Sequence, residues 1–190
     1  MTRTGIFGGS FNPIHNGHVQ LARHLLDEAR LDEIWFMVSP QNPLKAQADL
    51  MDERLRLELV RLALADDPRL VASDYEFRLP RPSYTWNTLQ HLSTDYPDRT
   101  FTLLIGEDNL RCFDRWAHAA DLLREYDIVV YPRGHKPIDT ATLPPRVRLV
   151  NTPLYDISST EVRRRIREGE PWDTLVPKAV YERMSEISKQ

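Results

Sequence analysis

Two histidines, His15 and His18, close the stretch Gly8-Gly9-Ser10-Phe11-Asn12-Pro13-Ile14-His15-Asn16-Gly17-His18. The apolar run Gly5-Ile6-Phe7 leads into it, and Val19, Ala22, Leu25, Leu26 and Ala29 leave it at helical spacing. The stretch reads as a strand-to-helix elbow, with Gly8 and Gly9 permitting a tight turn and a close approach to a ligand. A helix start offers N–H groups and a positive dipole end, which suits phosphate. With His15 at the helix mouth and His18 about one turn on, both rings can address whatever the elbow holds. Two His one turn apart also suit zinc, but no third ligand is spaced to join them, so no metal site is expected. The elbow lacks both the Gly-Lys-Ser/Thr ending of a Walker A loop and the G-x-G-x-x-G spacing of a dinucleotide fingerprint. P-loop hydrolysis and hydride transfer lose weight accordingly.

A second group lies far along the chain, at Ser158-Ser159-Thr160-Glu161-Val162-Arg163. Ser158 and Glu161 fit a capping box, and Gly169 fits the far end of the helix they would open. The plain reading is a well-capped surface helix. The sharper one is a second anion site, with Arg163 on the same face as the Ser159 and Thr160 hydroxyls. Arg164, Arg165 and Arg167 read as solvated charge. Four single residues carry similar alternatives. Lys45 is a loose surface lysine or a phosphate ligand. Asp108 holds a sugar hydroxyl or caps the helix that follows it. Trp116 stacks on an aromatic ring or is core. Arg133 pairs with a phosphate or is an ordinary loop arginine.

The elements that must position these residues alternate between strand and helix. Strands are expected at 5–7, 33–38, 70–72, 100–105, 127–131 and 147–150. Helices are expected after residue 18, after a cap at Asp52, at 85–95, from Gly106 through Trp116, Ala120 and Leu123, and at 159–168 and 177–188. Nearly continuous apolar strands separated by helices predict a parallel sheet covered on both faces. In such sheets ligands bind beyond the carboxyl ends of the strands, where strand order reverses. The segments 8–18, 39–45 and 106–109 each follow a strand and are expected to converge there.

Composition narrows the class. The 190 residues suit one domain, 1–190, with a small helical C-terminal part from about residue 158. A net charge of −3 argues against a general nucleic-acid binder, and the Arg163–Arg167 cluster has no aromatic platform beside it. The single cysteine, Cys112, permits no internal disulfide. No apolar run approaches the ~20 residues that span a bilayer, and the first strand follows Met1 directly. A cytoplasmic protein without a membrane partner is expected. The oligomeric state stays open, a homo-oligomer included.

The elbow closely resembles the (H/T)xGH signature of the nucleotidyltransferase superfamily, and Ile157-Ser158-Ser159-Thr160-Glu161-Val162-Arg163 resembles its second signature. Within it the chain is similar to bacterial nicotinate-nucleotide adenylyltransferases. Residues 39–45, 83–89 and 105–109, followed by Trp116, carry that closer likeness. The resemblance implies a Rossmann-like α/β fold and transfer of an adenylyl group from ATP to nicotinate mononucleotide, with Mg²⁺ carried on the triphosphate and no dedicated protein cage. It implies ATP contacts from Gly8, Gly9, Ser10, Phe11, His15, His18, Gly106, Asp108, Ile157, Ser158, Ser159, Thr160 and Arg163. It implies mononucleotide contacts from Asn42, Lys45, Thr85, Asp108, Trp116 and Arg133, with catalysis by His15, His18, Lys45 and Arg163. Asn12 and Leu44 depart from the common pattern, where many relatives carry Asp and His. The residue chemistry fits independently. Joining two anions needs donors and positive charge, not a protein nucleophile. Pantetheine-phosphate adenylyl transfer is the nearest rival, but that family usually has Thr at the position of His15. A nicotinamide-mononucleotide preference is a second rival. A nucleotide-binding regulator would be expected to lose the phosphate-contacting groups that this chain keeps.

Overall fold

Among the described residues apolar runs form six strands: β1 (Thr2–Gly9), β2 (Glu33–Val38), β3 (Leu70–Ser73), β4 (Arg99–Gly106), β5 (Asp127–Tyr131) and β6 (Val147–Leu149). The structure, a computed structural model, describes residues 1–41, 49–134 and 137–189. Every strand pairing is parallel, in the order β3-β2-β1-β4-β5-β6. The helices are α1 (Asn16–Glu28), α2 (Glu53–Leu64), α3 (Thr85–Asp95), α4 (Glu107–Arg111), α5 (Ala119–Glu125), α6 (Ser159–Glu168) and α7 (Lys178–Ile187). Strand order reverses between β1 and β4, so the expected crevice lies beyond their carboxyl ends.

Alternation along each strand divides the apolar side chains between two faces. Phe7, Phe36, Val38, Leu104 and Val129 pack on one face with Leu25 of α1, Leu59 of α2, Val162 of α6 and Val180 of α7. Ile6, Trp35, Met37, Leu103, Ile105 and Ile128 pack on the other with Leu89 and Leu92 of α3 and Leu122 of α5. Each such side chain taken fully out of water contributes roughly 1.5–3 kcal/mol, which makes both layers necessary. The fold is a Rossmann-like, doubly wound α/β sheet. The C-terminal helices belong to the first layer's core rather than standing apart from it.

Local sequence explains the helix ends. The Asp52 side chain accepts from Arg54 N and Leu55 N at the start of α2. Ser158 accepts from Glu161 N at the start of α6, and Gly169 closes it in the left-handed conformation at φ 69°. Only half of the expected capping box forms, because the Glu161 carboxylate pairs with Arg164 and Arg165 instead.

Three expectations about local structure need correcting. Gly8 and Gly9 do not turn. They finish β1, and the left-handed residue of the elbow is Phe11, at φ 47°. Trp116 is not helical. α4 ends at Arg111 and a 3₁₀ turn covers Phe113–Arg115. Side chains three apart eclipse in such a turn, and Phe113 and Trp116 stack with centroids 4.9 Å apart. Asp108 does not cap α4, whose start has no side-chain cap. Among the described residues no helix is long and apolar enough to cross a membrane.

Candidate active site

His15 is the N-cap of α1 and His18 its third residue. His15 Nδ1 accepts the His18 N–H at 3.3 Å, and His18 Nδ1 accepts the His15 N–H at 3.1 Å. An imidazole nitrogen that accepts from a backbone amide carries no proton, so this network assigns the ring proton of each to Nε2. The rings stack at 3.6 Å and 23°, setting two Nε2–H donors side by side. Burial, and then the charge of Arg133, lower the His15 pKa to about 4, so His15 is a neutral donor at pH 7.

Glycines make room for this pair. A Cβ on Gly17 would sit 3.0 Å from the His15 ring and 3.3 Å from Tyr155 Cβ. A Cβ on Gly9 would meet the Phe11 ring at 3.0 Å. That ring in turn packs edge-on to His18 at 5.1 Å. Gly8 faces open space.

The second motif docks directly on the elbow. Ser159 Oγ donates to the Pro13 carbonyl and Arg163 Nη1 to the Asn12 carbonyl, both at 2.8 Å. Arg163 Nη2 also reaches Thr160 Oγ1 at 3.4 Å. The start of α1 is held from the same side, because Asn16 N donates to the Leu175 carbonyl. Asn12, the departure noted in the sequence, is structural. It donates to the Asp49 carbonyl and accepts from Met51 N.

Between these parts lies a cleft of about 480 Å³, walled by His15 and His18, by Tyr131–Arg133 at the end of β5, and by residues 153–158 with Glu161 and Arg165. Arg165, read from sequence as solvated charge, therefore lines the cleft, held by Glu161 at 2.8 Å. Arg133 stands over the Tyr131 ring and lies 3.7 Å from Asp108. Gly106 leaves space for that pair, since a Cβ there would meet Asp108 Oδ1 at 2.5 Å and Arg133 Nε at 2.9 Å. Buried Glu107 accepts the Arg133 N–H at 2.6 Å.

His15, His18, Arg133, Ile157 and Ser158 thus meet at one cleft, with Ser159, Thr160 and Arg163 at its hinge and Gly106 and Asp108 beside Arg133. Thr85, the first residue of α3, and Trp116 belong to the opposite layer and do not line this cleft. The Ser10 carbonyl is turned onto buried Arg56. Asn42 and Lys45, and with them Leu44, lie outside the described residues. Among the described residues no group of three His, Cys, Asp or Glu could hold a metal ion. Sequence reasoning missed Arg56, Tyr155, Asp156 and Arg165. Arg165 carried a signal, because Glu161 sits four residues before it.

The cytidylyltransferase-like family matches residues 6–165. A probable nicotinate-nucleotide adenylyltransferase of Bacteroides fragilis is 49% identical over 183 residues, covering 96% of this chain and 91% of the relative. Its namesake from Bacteroides thetaiotaomicron is 47% identical over 188 residues, covering 99% and 93%. In fold, the chain is similar to the nicotinic acid mononucleotide adenylyltransferase of Plasmodium falciparum, solved in complex with NaAD. The TM-score is 0.81 at 21% identity, covering 98% of this chain and 96% of that one. The chain belongs to the cytidylyltransferase-like family, alongside relatives named nicotinate-nucleotide adenylyltransferases.

Proposed function

We propose that this protein transfers the adenylyl group of ATP to nicotinate mononucleotide, giving nicotinate adenine dinucleotide and pyrophosphate, a step of NAD biosynthesis. The observation that carries the reading is the docking of the Ser158–Arg163 segment on the histidine elbow through Ser159 and Arg163. Two segments nearly 150 residues apart are thereby joined beside one cleft, which His15, His18, Ser158 and Arg165 line. The names of relatives up to 49% identical support the choice of acceptor.

In this reading a phosphate oxygen of the mononucleotide attacks the α-phosphorus of ATP. The new P–O bond forms as the bond to the β-bridging oxygen breaks, and pyrophosphate leaves with that electron pair. The nucleophile is already anionic, so no protein base is needed. The protein aligns two anions and stabilises the charge that builds on the transferring group. His15 and His18 offer Nε2–H to the phosphates, and His15 does so as a neutral ring at pH 7. Mg²⁺ arrives with ATP as part of the substrate. The acceptor side is assigned to Arg133, Asp108, Trp116 and Thr85, with Asn42 and Lys45, which lie outside the described residues.

Pyrophosphate release from ATP with nicotinate mononucleotide, run beside nicotinamide mononucleotide, tests this. Turnover with the nicotinate form, at the higher kcat/KM, is expected. Release with neither acceptor would overturn the reading, and preference for the amide would correct the acceptor.

A further inference from the structure

Arg56, on the inner face of α2, is only 1% exposed. A buried guanidinium is costly unless its donors are satisfied. Here Nε donates to the Met51 carbonyl at 2.9 Å, and Nη1 donates to Ser10 at 2.8 Å and Ser39 at 2.7 Å. Nη2 reaches the Pro40 carbonyl at 3.5 Å. The carboxylates near it in sequence each have another partner, Glu58 pairing with Arg183. Asp52 caps α2 and Glu53 pairs with Arg81. The guanidinium is therefore held in the interior, behind the elbow, by backbone carbonyls, with the charges of Glu53 and Asp52 acting on it through space.

The four carbonyls come from three segments: the elbow, the exit of β2 and the approach to α2. A planar trans peptide points its C=O and N–H in opposite directions. Turning the Ser10 and Pro40 carbonyls inward therefore turns the Phe11 and Gln41 N–H groups outward, away from the guanidinium. Were those carbonyls free to rotate out, each would present a negative end to an anionic ligand. Asn12 adds a second tie between the same segments through Asp49 and Met51. Ser39 N also donates to the Gly9 carbonyl.

We propose that Arg56 is a positioning residue for anionic substrate: it locks the elbow, the β2 exit and the start of α2 into one unit with amide edges outward, and places a fixed positive charge behind them. The inference rests on the adenylyl-transfer reading for its ligand, ATP. Arginine is needed because its rigid planar fork reaches four carbonyls at fixed angles, whereas an ammonium is a point charge with three rotatable donors.

The test uses Arg56→Lys, which keeps charge and loses the fork, and Arg56→Met, which loses both. Each is assayed at a temperature where its circular dichroism matches the native protein. Arg56→Lys is expected to lower kcat tenfold or more with the KM for ATP within threefold. Arg56→Met is expected also to weaken ATP binding, measured by calorimetry, by tenfold or more. Native kcat and ATP affinity in both folded variants, with only the melting temperature lowered, would leave a purely structural role and overturn the proposal. Hydrogen exchange on the wild-type chain covers the case in which neither variant folds. ATP should protect 9–12, 39–41 and 51–56 together, and protection of 9–12 alone would overturn the unit. Calorimetry and exchange need no turnover. A chain that binds ATP but makes no dinucleotide would therefore sink the functional reading while still reporting on Arg56.

Discussion

The elbow half of the site and the half expected to hold the mononucleotide are built differently. His15 and His18 fix each other through two side-chain-to-backbone bonds within four residues, and cross-links that include those from Ser159 and Arg163 complete that half. The other half draws Thr85 from α3, Asp108 from α4, Trp116 from the turn before α5 and Arg133 from the β5 exit. Thr85 and Trp116 sit on the layer opposite α1 and α6. A group fixed by its sequence neighbours is pre-organised wherever the motif occurs. A group placed by tertiary packing is only as fixed as the packing. The donor side should therefore tolerate little change in its own residues, and the acceptor side should respond to changes in the core beneath it.

The largest effect that separates the halves is expected from His18→Asn. Its Oδ1 can stand in for Nδ1 and keep accepting from His15 N–H, while the Nε2–H donor is gone. The loss of one such donor typically costs ~2.7–4 kcal/mol, roughly 10²–10³ in kcat. Steady-state kinetics beside a melting curve should show that drop with stability nearly native. Native kcat would remove His18 from the chemistry.

Next comes pH, where the halves pull in opposite directions. His15 has a pKa of about 4 in the fold against 6.5 unfolded, so the unfolded chain binds more protons between those values. Its contribution is fully present above 6.5 and lost as pH falls through 4, about 3 kcal/mol in all by linkage. Glu76 lies buried under α3, accepting from Thr88 Oγ1 at 2.8 Å. Burial raises its pKa to about 6. Here the folded chain binds more protons, so stability is fullest below 4.5 and lost as pH rises through 6, by ~2 kcal/mol. Denaturant melts of His15→Asn should lose the acid-limb slope. Melts of Glu76→Gln should gain stability at pH 8 and little at pH 4. Parallel pH curves for the two variants would break the comparison.

The smallest effect tests the hinge. Ser159→Ala removes one hydrogen bond to the Pro13 carbonyl, at about 1 kcal/mol of stability. Because that bond joins the two motifs, kcat should fall more than a surface alanine substitution would lower it. Unchanged kinetics would mean that α6 docks without it.

Much of the frame was legible. β2, β5, α3 and α6 run where their apolar runs, prolines and caps placed them, because local propensity and tertiary packing agree there. Trp116 follows a 3₁₀ turn and stacks on Phe113, an arrangement that spacing does not reveal because residues three apart also meet on an α-helix. Gly8 and Gly9 were read for turning, although Gly9 serves to admit the Phe11 ring. Arg56 was visible in principle. It shares a face with Leu59, Val60 and Ala63 of α2, where a charged residue needs a reason. Which carbonyls it would meet depends on the approach of β1 and β2, and no local pattern encodes that.

The central claim is that two imidazoles, each with Nδ1 held by the other's backbone amide, offer Nε2–H to a triphosphate. Nitrogen-15 NMR of the histidine side chains with and without ATP examines it directly. The account predicts His15 in the Nε2–H form at pH 7 with no titration near 6.5, and ring shifts at His15 and His18 when ATP binds. A His15 ring that titrates near 6.5, or two rings unmoved by saturating ATP, would contradict it.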